Sequence, residues 1–294
     1  MATTEQPDFN ETYNGLLGIF KREIIDFKSL NFWRALFSEF VGTFIACFYT
    51  ISFGLYDPDN EKLPDSIVLA VGTSFIVAAL GNTLANVSGG HINPSVSLGF
   101  LVDGQITVLR FIFYSISQCS ASVVAVLLVK KLTPQDLHGN LGLHIPGSDV
   151  TPVQALLVEF LITFVLLFGT FAFIDKNRTD VTSPAALYVG LIAGANTLCA
   201  RRISGGCMNP ARNFGPAIVT GKMSQQWIYW VGCLLGAVAG TMTYTQLFSA
   251  KVISSNTVAM CRRRPTVCEQ AKTDAELEKL INTRQRVVNR SLNI

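Results

Sequence analysis

Residues 88–94 of the chain read Ser-Gly-Gly-His-Ile-Asn-Pro, and residues 204–210 repeat this pattern as Ser-Gly-Gly-Cys-Met-Asn-Pro. Asparagine is a good helix cap and proline suits the first helical position, so each copy predicts a helix that starts after a sharp Gly-Gly turn. The apolar stretches that follow, residues 95–102 and 211–220, are too short to cross a bilayer. Each copy therefore predicts a re-entrant half-helix.

Six uncharged apolar runs surround these two motifs. Each run suits one helical span or most of one, and the shorter ones can be extended through flanking segments 33–39 and 151–159. The chain has 294 residues, of which 49% are hydrophobic and 15% are charged. Six such runs in one chain exclude a soluble protein and predict an all-α membrane protein. The runs are residues 40–56, 66–86, 111–129, 160–174, 181–200 and 223–250.

The two halves of the chain repeat one another. A Glu-Phe-x-x-Thr-Phe sequence at residues 39–44 recurs at residues 159–164, each time ahead of one of the Asn-Pro motifs. Three spans per half is an odd number, so the second half enters the membrane in the opposite sense and the repeat is inverted. Irregular backbone inside a membrane needs burial or a water-filled cavity. We therefore expect a cavity where the positive ends of the two half-helices meet near the midplane.

The chain divides into an N-terminal segment (1–30), a channel domain (31–250, with repeats 31–130 and 151–250) and a tail (251–294). We expect the tail to be mostly disordered, with a short helix that a capping box starts near residue 273. Basic residues flank the first and last spans, whereas the first loop is acidic, so both termini are expected in the cytoplasm. The plasma membrane is the expected location, with an intracellular membrane as the alternative. A net charge of +3 carries no nucleic-acid signature.

The two Asn-Pro boxes, the run Asn-Pro-Ala-Arg-Asn-Phe-Gly-Pro at residues 209–216 and the paired glutamates resemble the aquaporin (major intrinsic protein) family. The resemblance covers about residues 30–250. It implies six tilted helices with two half-helices, a homotetramer with one pore per subunit, passage of water and small neutral solutes, and neither cofactor nor metal. In the first box a serine stands where alanine is usual. The box residues are Asn93, Pro94, Ser95, Asn209, Pro210 and Ala211.

The resemblance also implies roles for individual residues. Asn93 and Asn209 would donate hydrogen bonds to a passing water oxygen, which interrupts a proton wire. Arg212 would stand at the outer constriction as a fixed positive charge that repels cations. Loop support falls to three residues that lie in or near the same motifs: Glu39, Glu159 and His91. A proton-coupled role for the two glutamates is the alternative.

The family's filter positions, counted without gaps from the Asn-Pro boxes, fall on Thr73, Thr197, Gly206 and Arg212. None is aromatic, and water-selective members carry a histidine where Thr197 stands, so we expect a wider constriction. The motif is most similar to the animal branch that resembles plant tonoplast aquaporins and passes ammonia and peroxide. Asn213 replaces the aspartate of glycerol channels. Water with ammonia, hydrogen peroxide or urea is therefore the first expectation, and glycerol the second.

Three further features leave two interpretations each. Cys207 is either a site of mercurial block near the pore mouth or a buried, unreactive thiol. Arg201 and Arg202 are either a basic rim or solvated loop charges. Glycines at four-residue intervals in the sixth span (232, 236 and 240) predict a close helix contact, either within the subunit or between subunits.

Two other classes of function fit the same pattern. An alternating-access secondary transporter also uses inverted repeats and broken helices. A membrane adhesion or signalling protein would conduct nothing. An enzyme is excluded, because the apolar spans hold no nucleophile–base pair and no metal-ligand spacing.

Overall fold

A computed structural model describes residues 9–55, 66–178, 180 and 184–250, with only the backbone described for residues 9–16. Within these ranges the chain is helical and contains no strand. A single 3-10 turn (Gln135–Leu137) and a π-helical turn (Tyr244–Phe248) complete the described elements. The α-helices are α1 (Phe9–Lys28), α2 (Leu30–Ser52), α3 (Ser66–Leu84), α4 (Pro94–Val102), α5 (Val108–Leu132), α6 (Pro152–Ile174), α7 (Ala185–Ala200), α8 (Pro210–Thr220) and α9 (Gln226–Thr243).

The six predicted spans correspond to α2, α3, α5, α6, α7 and α9. Five of these helices, with α9 counted through the π-helical turn, are long and apolar enough to cross a membrane, and α7 is a shorter apolar helix of 16 residues. The fold class is therefore confirmed. The first span starts ahead of its apolar run: α2 begins at Leu30, three residues before the flanking segment 33–39 through which the run was expected to extend. The helix therefore carries the charged residues Arg34 and Glu39 in its interior.

The two half-helices start at the prolines, one residue before the predicted stretches. Pro94 and Pro210 occupy the first turn of α4 and α8, and the preceding asparagine caps each helix with its side chain. The residues just before the caps, Ile92 and Met208, have φ values of +47° and +55°. Such values are uncommon for β-branched and long side chains, so the two turns are held by contacts elsewhere.

Close backbone packing joins the first and third spans of each half, which are α2 with α5 and α6 with α9. On α9 three glycines face the backbone of α6, where an added Cβ would overlap carbonyl oxygens of Leu156, Phe160 and Phe164. The glycine contact predicted for the last span is therefore an internal one. These glycines are Gly232, Gly236 and Gly240.

An N-terminal helix, α1, occupies the segment that the sequence had left without structure. Glu23 accepts hydrogen bonds from the N–H groups of Val108 and Leu109, each at 2.9 Å, and so caps α5. Asp26 forms an ion pair with Arg110 of α5. The predicted tail helix near residue 273 lies outside the described residues.

Candidate functional site

The first Asn-Pro loop is held by a carboxylate from α2. Glu39 is fully buried, and its two oxygens accept hydrogen bonds from the N–H groups of His91 at 2.9 Å and Ile92 at 2.6 Å. Gln118 of α5 donates a third bond to the same carboxylate at 2.8 Å. A buried carboxylate is tolerated only when donors of this kind surround it. Glu39 thus holds two consecutive loop amides in the turn that precedes α4.

Glu159 of α6 holds the second loop in the same way. This carboxylate is also fully buried, and it accepts from the N–H groups of Cys207 at 2.9 Å and Met208 at 2.8 Å. The hydroxyl of Ser204 adds a bond at 2.7 Å. The two loops are therefore built on one plan, which accounts for the repeated glutamate that the sequence shows.

The two capping asparagines connect the loops to each other. Asn93 accepts from the N–H of Ser95 at 2.8 Å and donates through Nδ2 to the carbonyl of Met208 at 2.9 Å. Asn209 accepts from the N–H groups of Ala211 and Arg212 at 3.1 and 3.2 Å. Its Nδ2 donates to the carbonyl of Ile92, also at 2.9 Å. The N-terminal ends of α4 and α8 are consequently fixed side by side.

His91 lies in the first loop, behind Asn93. Its side chain is buried, its Nδ1 is 3.1 Å from the hydroxyl of Ser97, and its ring lies 4.3 Å from the ring of Phe100. Through this hydrogen bond and this ring contact the histidine connects the loop to α4.

A cavity of about 1370 Å³ contains all four predicted filter positions and both capping asparagines in its lining. At one end it is bordered by the α5–α6 loop (residues 133–151) and Arg201, and at the other by Ile174 and Ala185. The four predicted positions, which come from α3, α7, α8 and the second loop, are therefore brought to one space: Thr73, Thr197, Gly206 and Arg212.

Gly206 packs directly against Thr197. A Cβ added at Gly206 would lie 3.1 Å from the Cα of Thr197, and the backbone at Gly206 has a φ of +71°. A larger residue at position 206 would therefore meet both a strained backbone and a steric conflict. This contact keeps the cavity wall beside Thr197 free of side-chain bulk.

Arg212 is held by main-chain carbonyl groups. Its guanidinium donates to the carbonyl of Gly142 in the α5–α6 loop and, at 3.4 Å, to that of Thr50 in α2. In the part of the chain that the structure describes, no carboxylate pairs with it. The positive charge therefore stays uncompensated at the cavity wall. Sequence reasoning missed Thr50 and Gly142, because a carbonyl group is common to every residue and leaves no signal in residue type.

The α5–α6 loop also brings an imidazole to the cavity. His144 lines the cavity together with Arg212, and its Cβ would lie 2.8 Å from a Cβ added at Gly205. Asn213, the residue after Arg212, bonds to the main chain of His144. The sequence analysis missed His144, since the loop carries no motif that marks it.

Of the remaining candidates, Cys207 is 5% exposed, lines the cavity and directs its Sγ to the carbonyl of Asn209 at 3.0 Å. Cys47 of α2, which the sequence analysis did not single out, lines the same cavity. Arg201 and Arg202 also border it, next to the α5–α6 loop. Both arginines therefore lie beside the opening.

The sequence matches the family "Major intrinsic protein" over residues 26–244. It is 35% identical over 225 residues to aquaporin-4 of Mus musculus, and this match covers 75% of this chain and 69% of that protein. It is 38% identical over 221 residues to aquaporin TIP4-2 of Zea mays, covering 73% of this chain and 85% of the relative.

Among solved structures, the aquaglyceroporin from Plasmodium falciparum superposes with a TM-score of 0.63 at 21% identity, covering 75% of this chain and 98% of that one. The superposition confirms the aquaporin bundle fold. The resemblance noted from the Asn-Pro boxes is likewise confirmed by the family match. The chain belongs to the major intrinsic protein (aquaporin) family, and it is a multi-pass membrane channel protein and not an enzyme.

Proposed function

We propose that this channel conducts water together with ammonia, hydrogen peroxide and urea, and that it excludes protons and ions. The observation that carries the proposal is the lining of one cavity by Thr73, Thr197, Gly206 and Arg212 together with the two capping asparagines. None of these four filter residues has an aromatic ring. The two threonines, the glycine and the arginine leave more room in the cavity than an aromatic ring would. The threonine hydroxyls and the guanidinium also offer polar groups to a small neutral solute.

Proton exclusion follows from the two asparagines. An amide NH2 has two hydrogens, and one of them on each asparagine binds a carbonyl of the opposite loop: Met208 for Asn93 and Ile92 for Asn209. The second hydrogen of each amide is left for a water oxygen in the cavity. A water that accepts from both asparagines directs its own hydrogens away to either side, and the proton wire is interrupted there.

Ion exclusion follows from Arg212 and from the helix ends. The N-termini of α4 and α8 carry partial positive charge and point to the same region. Arg212 adds a full positive charge, which donates hydrogen bonds to two neutral carbonyl groups and has no carboxylate partner among the described residues. A cation that approaches the filter meets repulsion from both, and an anion must give up its hydration shell to enter.

The glycerol channel is the alternative solute class. The absence of an aromatic ring at the four filter positions favours it, whereas His144 is a further ring-bearing residue in the lining of the same cavity. Asn213, in place of the aspartate of glycerol channels, also separates this chain from that class. We therefore rank glycerol behind urea.

The assembly and orientation complete the proposal. α3 exposes a row of large apolar side chains, which suits contact with lipid or with neighbouring subunits: Ile67, Val68, Val71 and Phe75. We infer a homotetramer with one pore per subunit and both termini in the cytoplasm. In this arrangement the α5–α6 loop and Arg201 face the outside, and the plasma membrane is the expected location.

A solute series in proteoliposomes tests the proposal. Purified protein is reconstituted, and stopped-flow light scattering records the flux of water, urea, methylamine and glycerol against protein-free vesicles. Flux of water and of urea or methylamine with little glycerol flux is the expected result. Water flux alone would contradict the wide filter, and glycerol flux equal to that of urea would favour the aquaglyceroporin alternative.

A further inference from the structure

The side chain of Asn213 binds the main chain of the α5–α6 loop through two hydrogen bonds to a single residue. Asn213 is fully buried, its Oδ1 accepts from the N–H of His144 at 2.8 Å, and its Nδ2 donates to the carbonyl of His144 at 3.2 Å. Both polar ends of the amide are thus used on one peptide segment. Because both hydrogen bonds go to the main chain, the contact depends on the position of the loop and not on the identity of its side chains.

The same loop segment holds the filter arginine. Gly142, two residues before His144, accepts a hydrogen bond from the guanidinium of Arg212, and Arg212 directly precedes Asn213 in α8. Two adjacent residues of one helix are therefore tied to two points of one short loop segment. We propose that Asn213 is a positioning residue: by clamping His144 it keeps the Gly142 carbonyl on Arg212, and so it sets which solutes pass the filter. This inference rests on the proposed channel function.

The helix side of the clamp is firmly anchored. Gln226 of α9 donates to the main-chain carbonyl of Asn213 at 3.2 Å, and the capping side chain of Asn209 accepts from the N–H of Arg212 at 3.2 Å. If the two bonds between Asn213 and His144 are lost, we therefore expect the loop and the guanidinium of Arg212 to move. The backbone of α8 is expected to keep its position.

The loop has other attachments that survive without Asn213. Leu141 is buried in a cluster with Cys47 and Ile51, and Lys222 donates to the side chain of Asn140 at 2.8 Å. Removal of the clamp is thus expected to loosen residues 142–144 without unfolding the loop. The Gly142 carbonyl then restrains Arg212 less, and the guanidinium can move aside for solutes larger than water.

Two substitutions and one control test this. Asn213→Leu removes both bonds at nearly constant volume, and Asn213→Asp keeps the acceptor for the His144 N–H but sets a second oxygen against the His144 carbonyl. The control Tyr244→Phe removes one hydrogen bond of a buried side chain, from the Tyr244 hydroxyl to Asp175 at 3.0 Å, at the end of α6 that is remote from the α5–α6 loop. Each full-length protein is reconstituted in liposomes, and urea and water permeabilities are recorded together with the unfolding temperature.

We expect the urea-to-water permeability ratio to rise about fivefold in Asn213→Leu, the factor that loss of about one net hydrogen bond allows. In Asn213→Asp the ratio also rises, and in Tyr244→Phe it stays at the wild-type value. A ratio that is unchanged or lower in the Asn213 variants would overturn the inference; if Asn213→Leu does not fold, Asn213→Asp decides. Wild-type protein that conducts no water would instead overturn the proposed function, which separates the two failures.

Discussion

The Nδ2 of Asn93 lies 2.9 Å from the carbonyl oxygen of Met208, and the Nδ2 of Asn209 lies at the same distance from the carbonyl oxygen of Ile92. Two loops that are more than a hundred residues apart thus hold each other through their capping side chains. Neither half of the chain can place its half-helix correctly without the other. The geometry of the pore centre is therefore a property of the whole duplicated chain.

The buried glutamates are expected to be the most costly polar residues to change. Glu159→Gln replaces a carboxylate that accepts from four donors by an amide whose NH2 group must face some of those donors. Hydrogen bonds to charged groups contribute about 1.5–3 kcal/mol, so we expect a loss of about 2–4 kcal/mol in the free energy of unfolding. The unfolding temperature in detergent measures it.

Glu23→Gln is the matched control for that substitution. Glu23 also accepts from two main-chain N–H groups, but it does so at the exposed N-terminus of α5, where water can replace the bonds. The expected loss there is below about 1 kcal/mol. Equal losses in the two variants would contradict the account of the buried loops.

Narrowing the filter is expected to separate water from larger solutes. Thr197→His places a ring beside Gly206, in the cavity that also holds Arg212. Water flux should persist while urea flux falls about tenfold, which corresponds to about 1.4 kcal/mol in barrier height. Stopped-flow permeabilities measure both, and Thr197→Ser, which adds no bulk, should keep the wild-type ratio. An unchanged urea flux in Thr197→His would show that position 197 does not limit passage.

The glycines of α9 are expected to be intolerant of a methyl group. Gly236→Ala directs its new Cβ at the carbonyl of Phe160 in α6, so the two helices must separate. Overpacking of this kind costs about 1–3 kcal/mol. Gly18→Ala, at a helical site with no atom within 4 Å of the new Cβ, should instead raise the stability of α1 by up to about 1 kcal/mol. Thermal unfolding that ranks the two variants in the opposite order would contradict the packing described.

The docking of α1 is expected to depend on the charge of Asp26. Burial alone would raise the pKa of Asp26, but hydrogen bonds from Arg110 and Thr107 outweigh it and hold the pKa below its ordinary value of 3.8. A lowered carboxyl pKa contributes stability that is complete above the unfolded-state value and is lost as pH falls through the folded-state value. Docking should therefore be constant from neutral pH down to mildly acidic pH and should weaken below about 3.8.

Trp33 reports this docking, because its Nε1 donates to the carbonyl of Phe27 in α1 at 3.1 Å. Its emission in a background with Trp227 and Trp230 changed to phenylalanine should shift only below that pH. Asp26→Asn should show the undocked spectrum already at neutral pH. A transition near pH 6 in the wild-type background would assign the docking to another group.

Mercurial block is expected to depend on Cys207. Cys207 belongs to the lining of the cavity and its Sγ lies 3.0 Å from the carbonyl oxygen of Asn209, so a mercurial bound there would obstruct the passage. Cys207→Ala should remain open under mercurials that close the wild-type channel. Cys47→Ala is the control, since Cys47 lines the same cavity from α2. Retained block in Cys207→Ala together with lost block in Cys47→Ala would move the site to Cys47.

The features of the fold and the site that could be predicted from the sequence are those that particular residue types mark. The Asn-Pro boxes and the repeated glutamates combine unusual residues with fixed spacing, so the half-helices and their supports could be predicted. Arg212 has main-chain partners, at Thr50 and Gly142, which no pattern of residue types can mark. The α1 helix was not predicted for a different reason. It has no apolar run long enough to indicate a span, and hydrogen bonds and an ion pair connect it to α5.

In the proposed channel, a single continuous pore crosses the bundle between Asn93 and Asn209. The most direct measurement is the osmotic water permeability of proteoliposomes as a function of temperature, against protein-free vesicles and with no ion gradient. We expect a large increase in permeability with a weak dependence on temperature and no requirement for a coupling ion. Permeability equal to that of protein-free vesicles, or transport that appears only with an ion gradient, would contradict it.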